Sequence, residues 1–473
     1  MTVRSRGITT ATGAVIGGLA LLVAGPLLMA RGFALVGDMV FVPDQPWKDQ
    51  WLGADGSVPR AVPGDAIVSA LTTVVPGDLL QKAVIVLIVA AAGWGMLHLL
   101  AEATPVARLG GAVVFAWNPY VYERLAIGHW ALLCGYACLP WVAAAAIAVR
   151  RRGPSAAGLA VLVAPMAVAA WTSPTGGVLA AGLALALVLP AVRAAGVVLA
   201  TAVLVNLPWL LPGVLNTTAT GGNPGVAEFA ARADTPFGVV GSVLTLGGMW
   251  KVSVAPDLQP GWLFALLSLT IAAIGLLGVL LARRSRDGHP AGEWGLVVVA
   301  VLGLVLALLP TIGAGRSVLE TVVTAVPGAG ILRDSQKWLA PLALLVACGW
   351  ARSMESALSR VRAAGPGTPR WPIGVAALLI PVLAVPTMVW GLSGLFRPGV
   401  YPEEWSQVAA AMDEAGADDG RTVVLPWSAY RRFSWNHGHA VLDPAFRFFP
   451  GEVLTSDDLV IDADTVVAGE STL

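Results

Sequence analysis

The segment Gly37-Asp-Met-Val-Phe-Val-Pro-Asp-Gln-Pro-Trp47 places a carboxylate, Asp38, directly after an apolar run of membrane-spanning length. A carboxyl group where a chain leaves a bilayer can lie in a partly dehydrated groove, where its pKa can rise and it can act as a general base toward an alcohol. The same residue equally suits a helix cap or a turn. Arg333 and Lys337 are four residues apart where a helix is expected to enter a span, which would put both cations on one face near headgroup depth. An interfacial pair that snorkels to lipid phosphates has the same spacing. Arg124 follows Glu123 and precedes His129, a histidine at a span boundary. The two charges can pair with each other, and a boundary histidine is commonly a hydrogen-bonded interfacial residue. His437 and His439, two apart in a run rich in Arg and aromatic residues, would share one face of a strand, but no third ligand is evident for a metal. Cys134, Cys138 and Cys348 all lie in apolar runs, where a thiol behaves as a small buried hydrophobe.

Composition says what kind of element must hold these groups. Of 473 residues, 56% are hydrophobic and 12% charged, against about 25% charged in soluble domains. The mean hydropathy is +0.75. An ordinary soluble protein is excluded, and an integral membrane protein remains. Lys+Arg and Asp+Glu both number 29, so no net positive charge is present to attract nucleic acid, and 33 Pro with 54 Gly exclude a coiled coil.

Apolar stretches of roughly spanning length fall at 12–34, 82–101, 106–118, 129–149, 156–171, 177–192, 194–212, 261–282, 294–312, 338–354 and 372–394. They predict an α-helical polytopic protein of about eleven transmembrane helices. With the N-terminus inside, alternate loops receive Arg4 and Arg6, Arg108, Arg150 to Arg152, Arg193, the Arg283–Arg286 cluster, and Arg352, Arg360, Arg362 and Arg370. Cytoplasmic loops carry such an excess of cations, so the tail from 395 is expected outside. Acids run the other way, with only Glu102, Asp287, Glu293 and Glu355 on the inner side. Asp38, Asp44, Asp49, Asp55, Asp65 and Asp78 crowd the first external loop, 35–81, whose Pro59–Leu71 stretch reads as an amphipathic helix lying on the membrane. External loops are also expected at 213–260 and 313–337. The chain thus divides into a transmembrane core, 1–394, and a small extracytoplasmic α/β lobe, 395–473. In that lobe an acid-rich helix from Glu403 to Ala415 precedes strands at Arg421–Pro426 and Leu459–Val467, and the lobe is expected to be incomplete. Tryptophan, at 18, outnumbers phenylalanine, at 11, and many Trp sit at predicted span ends as an interfacial belt. Trp47, Trp51 and Trp117, near Asp38 or Asn118, could also stack on a sugar ring.

An acid just past the first span, a helix-bearing first external loop, about eleven spans and an outward tail together resemble the GT-C glycosyltransferases, membrane enzymes that take sugars from polyprenyl-phosphate carriers. Three further stretches resemble the actinobacterial arabinofuranosyltransferase D branch and its short relatives. They are Phe115-Ala-Trp-Asn-Pro-Tyr-Val-Tyr-Glu-Arg124 with Gly128-His-Trp130, Leu332-Arg-Asp-Ser-Gln-Lys-Trp338, and Val424-Leu-Pro-Trp-Ser-Ala-Tyr430 with Ser434-Trp-Asn436.

The resemblance implies a plasma-membrane, cell-envelope glycosyltransferase with Asp38 as catalytic base and Asp44 as runner-up. The base would deprotonate an acceptor hydroxyl as it attacks the anomeric carbon, with inversion, while lipid phosphate departs. Arg333, Lys337 and Arg124 are then candidates for the donor phosphate, whose growing charge needs neutralising. Trp47, Trp117, Asn118, Glu123 and His129 are candidates for acceptor or sugar contacts. The expected partners are a polyprenyl-phosphate sugar, arabinofuranose among the candidates, an envelope glycan or glycolipid acceptor, and membrane lipid. No cofactor is specified; a divalent metal is compatible with the outer carboxylates but no ligand set defines one. A transporter or flippase would put ionisable residues inside the spans, where none lies well inside, and a non-catalytic envelope scaffold would need no base at Asp38.

Overall fold

A computed structural model describes residues 3–54, 61–189, 191–215, 225–285, 288–365, 368–416, 420–460 and 466–467. Asp55, Pro59, Arg60, Arg286 and Asp287 lie outside the described residues. The helices run α1 (Val3–Leu28), α2 (Gly64–Thr72), α3 (Gly77–Leu99), α4 (Pro105–Ala116), α5 (Pro119–Ala126), α6 (Trp130–Arg152), α7 (Ala156–Thr172), α8 (Pro174–Val188), α9 (Val192–Leu215) and α10 (Gly238–Leu244). They continue through α11 (Trp262–Ser285), α12 (Trp294–Leu308), α13 (Gly313–Ala325), α14 (Ala340–Ala363), α15 (Trp371–Ala384), α16 (Val389–Gly394), α17 (Glu403–Glu414) and α18 (Ala445–Phe448).

Each predicted apolar run falls on helix, the last of them on the bent pair α15 and α16, and the count of eleven spans is not confirmed. Among the described residues six helices are long and apolar enough to cross a membrane, or up to seven if α15 and α16, bent by 73°, form one span. The remaining apolar helices are shorter or carry charge. The 12 residues of α4 extend only about 18 Å, well short of a hydrocarbon core of about 30 Å. α7 and α8 are apolar but have 17 and 15 residues. α14 has 24 residues, but its last turns carry Arg352, Glu355, Arg360 and Arg362. Protein rather than lipid surrounds its first half, where Ala340 to Ala351 are all buried. Close approach comes from small residues, as in other membrane bundles. A Cβ on Gly278 of α11 would lie 1.7 Å from the Gly349 carbonyl oxygen of α14, so only hydrogen fits there.

α6 connects the two chemical ends of the bundle. At its C-terminal end Arg150 meets Glu293 at 2.7 Å and Arg151 donates to the Gly288 carbonyl. Its N-terminal end begins at His129. These ends are separated by 23 residues, or about 34 Å of helix.

The tail has helix and strand, and part of it packs into the core of the helical bundle. β1 (Arg421–Val423) pairs in parallel with β4 (Glu452–Leu454), β2 (Tyr430–Arg432) pairs antiparallel with β3 (Ala440–Leu442), and β5 (Leu459–Val460) pairs antiparallel with β6 (Val466–Val467). Tyr401, Val441 and Phe448 belong to the same buried cluster as the spanning helices. The first loop is stitched to the tail by Tyr401 Oη donating to the Phe41 carbonyl, Asn436 Nδ2 to Leu35, Lys48 Nζ to Phe446, and Arg447 to Asp65. The expected amphipathic helix of the first loop is α2, oriented with its polar stripe inward. Asp65, Ser69 and Thr72, at helical spacing, are buried against Gln45 and Arg447, while Leu71 is exposed.

Candidate active site

The loop 33–40 is held by backbone before any side chain acts. Gly37 N donates to the Ala440 carbonyl and Leu442 N to the Gly37 carbonyl, while Asp38 N donates to the Ile127 carbonyl at 2.9 Å. Contact is so close that a Cβ on Gly37, whose φ is +52°, would stand 2.0 Å from the Ile127 oxygen. The same holds from the other side, where a Cβ on Gly128 would stand 2.2 Å from Met39 N. Three chain segments, the loop after α1, the α5–α6 corner and β3, therefore fix the position of Asp38.

Both Asp38 oxygens are oriented. Tyr430 Oη donates to Oδ1, and His129 Nε2 lies 3.2 Å from Oδ2. The tautomer follows from the next contact. Arg124 Nη1 lies 2.9 Å from His129 Nδ1, and a guanidinium can only donate, so Nδ1 accepts and the ring proton sits on Nε2, facing Asp38. Burial works to raise the Asp38 pKa, as dehydration would, but the His129 and Tyr430 hydrogen bonds and the Lys337 charge outweigh it and hold it below its ordinary value. The expectation of a raised pKa is thus corrected, because two donors stabilise the anion more than burial destabilises it. Burial pushes the His129 pKa down, and with the Lys337 and Arg124 charges it outweighs the hydrogen bond and charge of Asp38, so the imidazole is neutral at neutral pH. The Asp38 side chain remains 39% exposed, which leaves its anion reachable.

Behind this pair lies a buried layer. Arg124, with 0% of its side chain exposed, makes a two-pronged contact with Asp334 at 2.7 and 3.1 Å and donates to Gln336 Oε1. Gln336 Nε2 donates to Glu123 Oε2 at 2.9 Å. Lys337 Nζ lies 3.5 Å from Asp334 Oδ2 with its side chain 25% exposed, and Tyr120 Oη donates to its backbone carbonyl. Burial opposes the Asp334 anion, but the Arg124 and Lys337 charges hold its pKa far below the carboxylate range. Burial lowers the Lys337 pKa despite the Asp334 and Asp38 charges. Glu123 is fully buried next to Asp234, and burial together with that like charge pushes its pKa well up. It does not pair with Arg124, because neighbours in one helix point different ways.

Several expected ligand contacts are therefore placed elsewhere. Arg124 is sealed behind the site with its charge met by Asp334, so it orients other groups and presents no surface to a phosphate. Arg333 and Lys337 do not share one α-helix. Short 3-10 turns end at Leu332 and resume at Ser335, with Asp334 between them in a non-helical conformation, and the Arg333 guanidinium lies 4.9 Å from the Phe229 ring. Trp117 is 1% exposed and donates its Nε1 to the Val385 carbonyl, and Asn118 caps α5 by accepting from Val121 N. Glu123, at 0% exposure, is equally out of reach of a sugar. Trp47 is 55% exposed and Asp44 is exposed, and neither enters the network. His437 and His439 do not share a strand face, because His437 sits in a left-handed turn at φ +54°. Among the described residues no group of three or more His, Cys, Asp or Glu could hold a metal ion.

Tyr430, Asp334, Gln336 and Lys251 enter the site without having been singled out by type and spacing. The first three lie inside the segments that carry the family resemblance. Lys251, half-buried, is close enough for the Asp38 and Arg432 charges to act on it, and no pattern in its own neighbourhood marks it.

No protein-family model and no curated protein matches the sequence. Solved structures do. The cryo-electron microscopy structure of arabinofuranosyltransferase AftD from Mycobacteria superposes with a TM-score of 0.61 at 17% identity, covering 97% of this chain and 32% of that one. A mutant form of the same enzyme gives 0.61 at 16% identity, covering 97% and 33%. The chain thus spans about a third of the length of the proteins it matches, and over nearly all its own length it has an AftD-like fold, with several helices apolar and long enough for a multi-pass membrane protein.

Proposed function

We propose that this protein is a membrane glycosyltransferase that moves a sugar from a polyprenyl-phosphate donor to a hydroxyl of an envelope glycan or glycolipid, with Asp38 as the base. The observation that carries this reading is an ionised, partly open carboxylate whose two oxygens are each aimed by a donor, beside the accessible cation of Lys337. As the acceptor hydroxyl oxygen forms its bond to the anomeric carbon, its proton passes to Asp38. The bond from that carbon to the phosphate oxygen breaks on the opposite face, with inversion. Lys337, with Arg333 and Lys251 nearby, neutralises the charge gathering on the lipid phosphate. Arg124 and His129 act as positioning residues, one holding the other's tautomer and Asp334. The fold shared with AftD supports arabinofuranose as the first donor to try.

The geometry of α6 and the cation bias support an outer-face site. The Asp38 site and the Arg150–Arg152 cluster stand at opposite ends of one spanning helix, so a cytoplasmic arginine end, as cation bias favours, puts the site and the tail on the outer face.

Membranes containing Asp38→Asn are expected to lose about 10²–10⁴-fold of sugar transfer from a polyprenyl-phosphate arabinofuranose donor at normal protein level. Wild-type activity in that variant removes Asp38 as base. Loss in Asp44→Asn instead would move the role there.

A further inference from the structure

A cavity of about 480 Å³ opens away from the Asp38 network, lined by Pro26, Trp390, Gly394, Arg397, Pro398 and His437. One wall is apolar and lies where spans end. Pro26 is in the last turn of the first spanning segment, Thr10–Leu28, and Trp390 belongs to the bent pair formed by α15 and α16. The indole packs over Gly25, where a Cβ would come within 2.8 Å of the ring, yet Trp390 stays 52% exposed. An exposed tryptophan at the end of a span is an interfacial group.

The other wall is basic. His437 Nε2 donates to the Pro398 carbonyl at 3.1 Å, which pins the ring beside Arg397. Arg397 is exposed and forms no ion pair among the described residues. His439 and Arg432 extend the patch, and the charges acting on His439 are those of His437, Arg397 and Arg432, all basic. No carboxylate is among them.

The backbone between the walls is held in a costly form. Trp390, Gly391, Leu392 and Ser393 have φ of 57°, 66°, 55° and 55°, a left-handed turn in which only the glycine is at ease. Such conformations persist where the surroundings over-determine them, and they gather at ligand clamps. Here the turn brings the indole against α1 and leads directly into Arg397.

We propose that this cavity binds the phosphate of an anionic membrane lipid, with the guanidinium of Arg397 and the imidazole of His437 on the phosphate and the lipid chain along Pro26 and Trp390. Uncompensated cations call for an anion, and an apolar wall continuous with a spanning helix calls for the chain attached to it. A free phosphate would satisfy only the basic wall. The site is independent of the glycosyl-transfer reading, since none of its lining residues touches Asp38.

The test uses the full chain, delipidated in detergent, with native mass spectrometry and thermal unfolding as readouts. Dioleoyl phosphatidic acid is expected to bind and to raise the unfolding midpoint, whereas dioleoylglycerol and inorganic phosphate at equal concentration do neither. Arg397→Gln with His437→Gln is expected to weaken phosphatidic acid binding by about ten-fold or more. Arg421→Gln, which removes a cation that is 72% exposed and paired with Glu452, should leave it unchanged. Equal binding by the double variant and wild type overturns the proposal. Inorganic phosphate that displaces the lipid at similar concentration makes this a free-anion site and overturns the lipid assignment. Should the double variant fail to fold, His437→Gln alone, at an exposed ring, must still weaken binding, and raised salt must weaken it further.

Discussion

Replacing Asp334 by Asn tests the buried layer on which the site rests. The substitution keeps the shape and removes the charge that meets Arg124 at 2.7 and 3.1 Å. Arg124 is 0% exposed and the Asp334 side chain 7%, so water cannot replace the lost anion. Removing one partner of such a pair costs about 3–5 kcal/mol. Gln336 and His129 still accept from the guanidinium, which favours the lower end. At about 2 °C per kcal/mol, thermal unfolding in detergent is expected to start roughly 6 °C lower or more. The pH dependence sharpens the test. The folded-state pKa of Asp334 is depressed, so its contribution is fully present above the unfolded value of about 3.9 and is lost only as pH falls through the lower, folded value. The gap between wild type and Asp334→Asn should therefore stay constant from pH 8 to pH 5. A variant within 1 °C of wild type, or a gap that closes by pH 5, would refute an ionised Arg124–Asp334 pair.

Tyr430→Phe removes one of the two donors to Asp38 and keeps the ring. A hydrogen bond to a charged group contributes about 1.5–3 kcal/mol, so transfer should fall roughly ten-fold or more and the acid limb of the pH profile should move upward; an unmoved limb would sever Tyr430 from the base. Lys48 is buried, with Nζ donating to the Phe446 carbonyl and burial pushing its pKa down to about 7. Between pH 7 and about 10.4 the unfolded chain holds a proton that the folded chain lacks, so wild-type stability should rise by up to about 1.4 kcal/mol per pH unit there. In Lys48→Met that slope should vanish in denaturation curves taken across the same range. Gly37→Ala forces a Cβ to within 2.0 Å of the Ile127 oxygen, so both activity and the unfolding midpoint should drop; loss of neither would mean that the loop holding Asp38 can shift freely.

Hydropathy alone located the helices, because crossing a bilayer demands apolar residues whatever the neighbours are. It does not by itself settle the number of spans, because α4, α7 and α8 are apolar but short, α4 being largely buried while α7 leaves Val161, Val163 and Val168 exposed. The acid after the first span and the resemblance-bearing segments around Arg124, Asp334 and Tyr430 were legible because each is a short stretch of adjacent residues. What each side chain does was not legible. Tyr430 reaches Asp38 across 392 residues, and Arg124 finds Asp334 across 210. Tertiary contact alone turned Arg124 from a surface cation into a buried strut, made Trp117 a core residue, and reversed the direction of the Asp38 pKa. A sequence carries charge, size and periodicity along the chain, whereas the free energy of a carboxylate depends on donors and solvent within a few ångströms, and those are chosen only when distant segments meet.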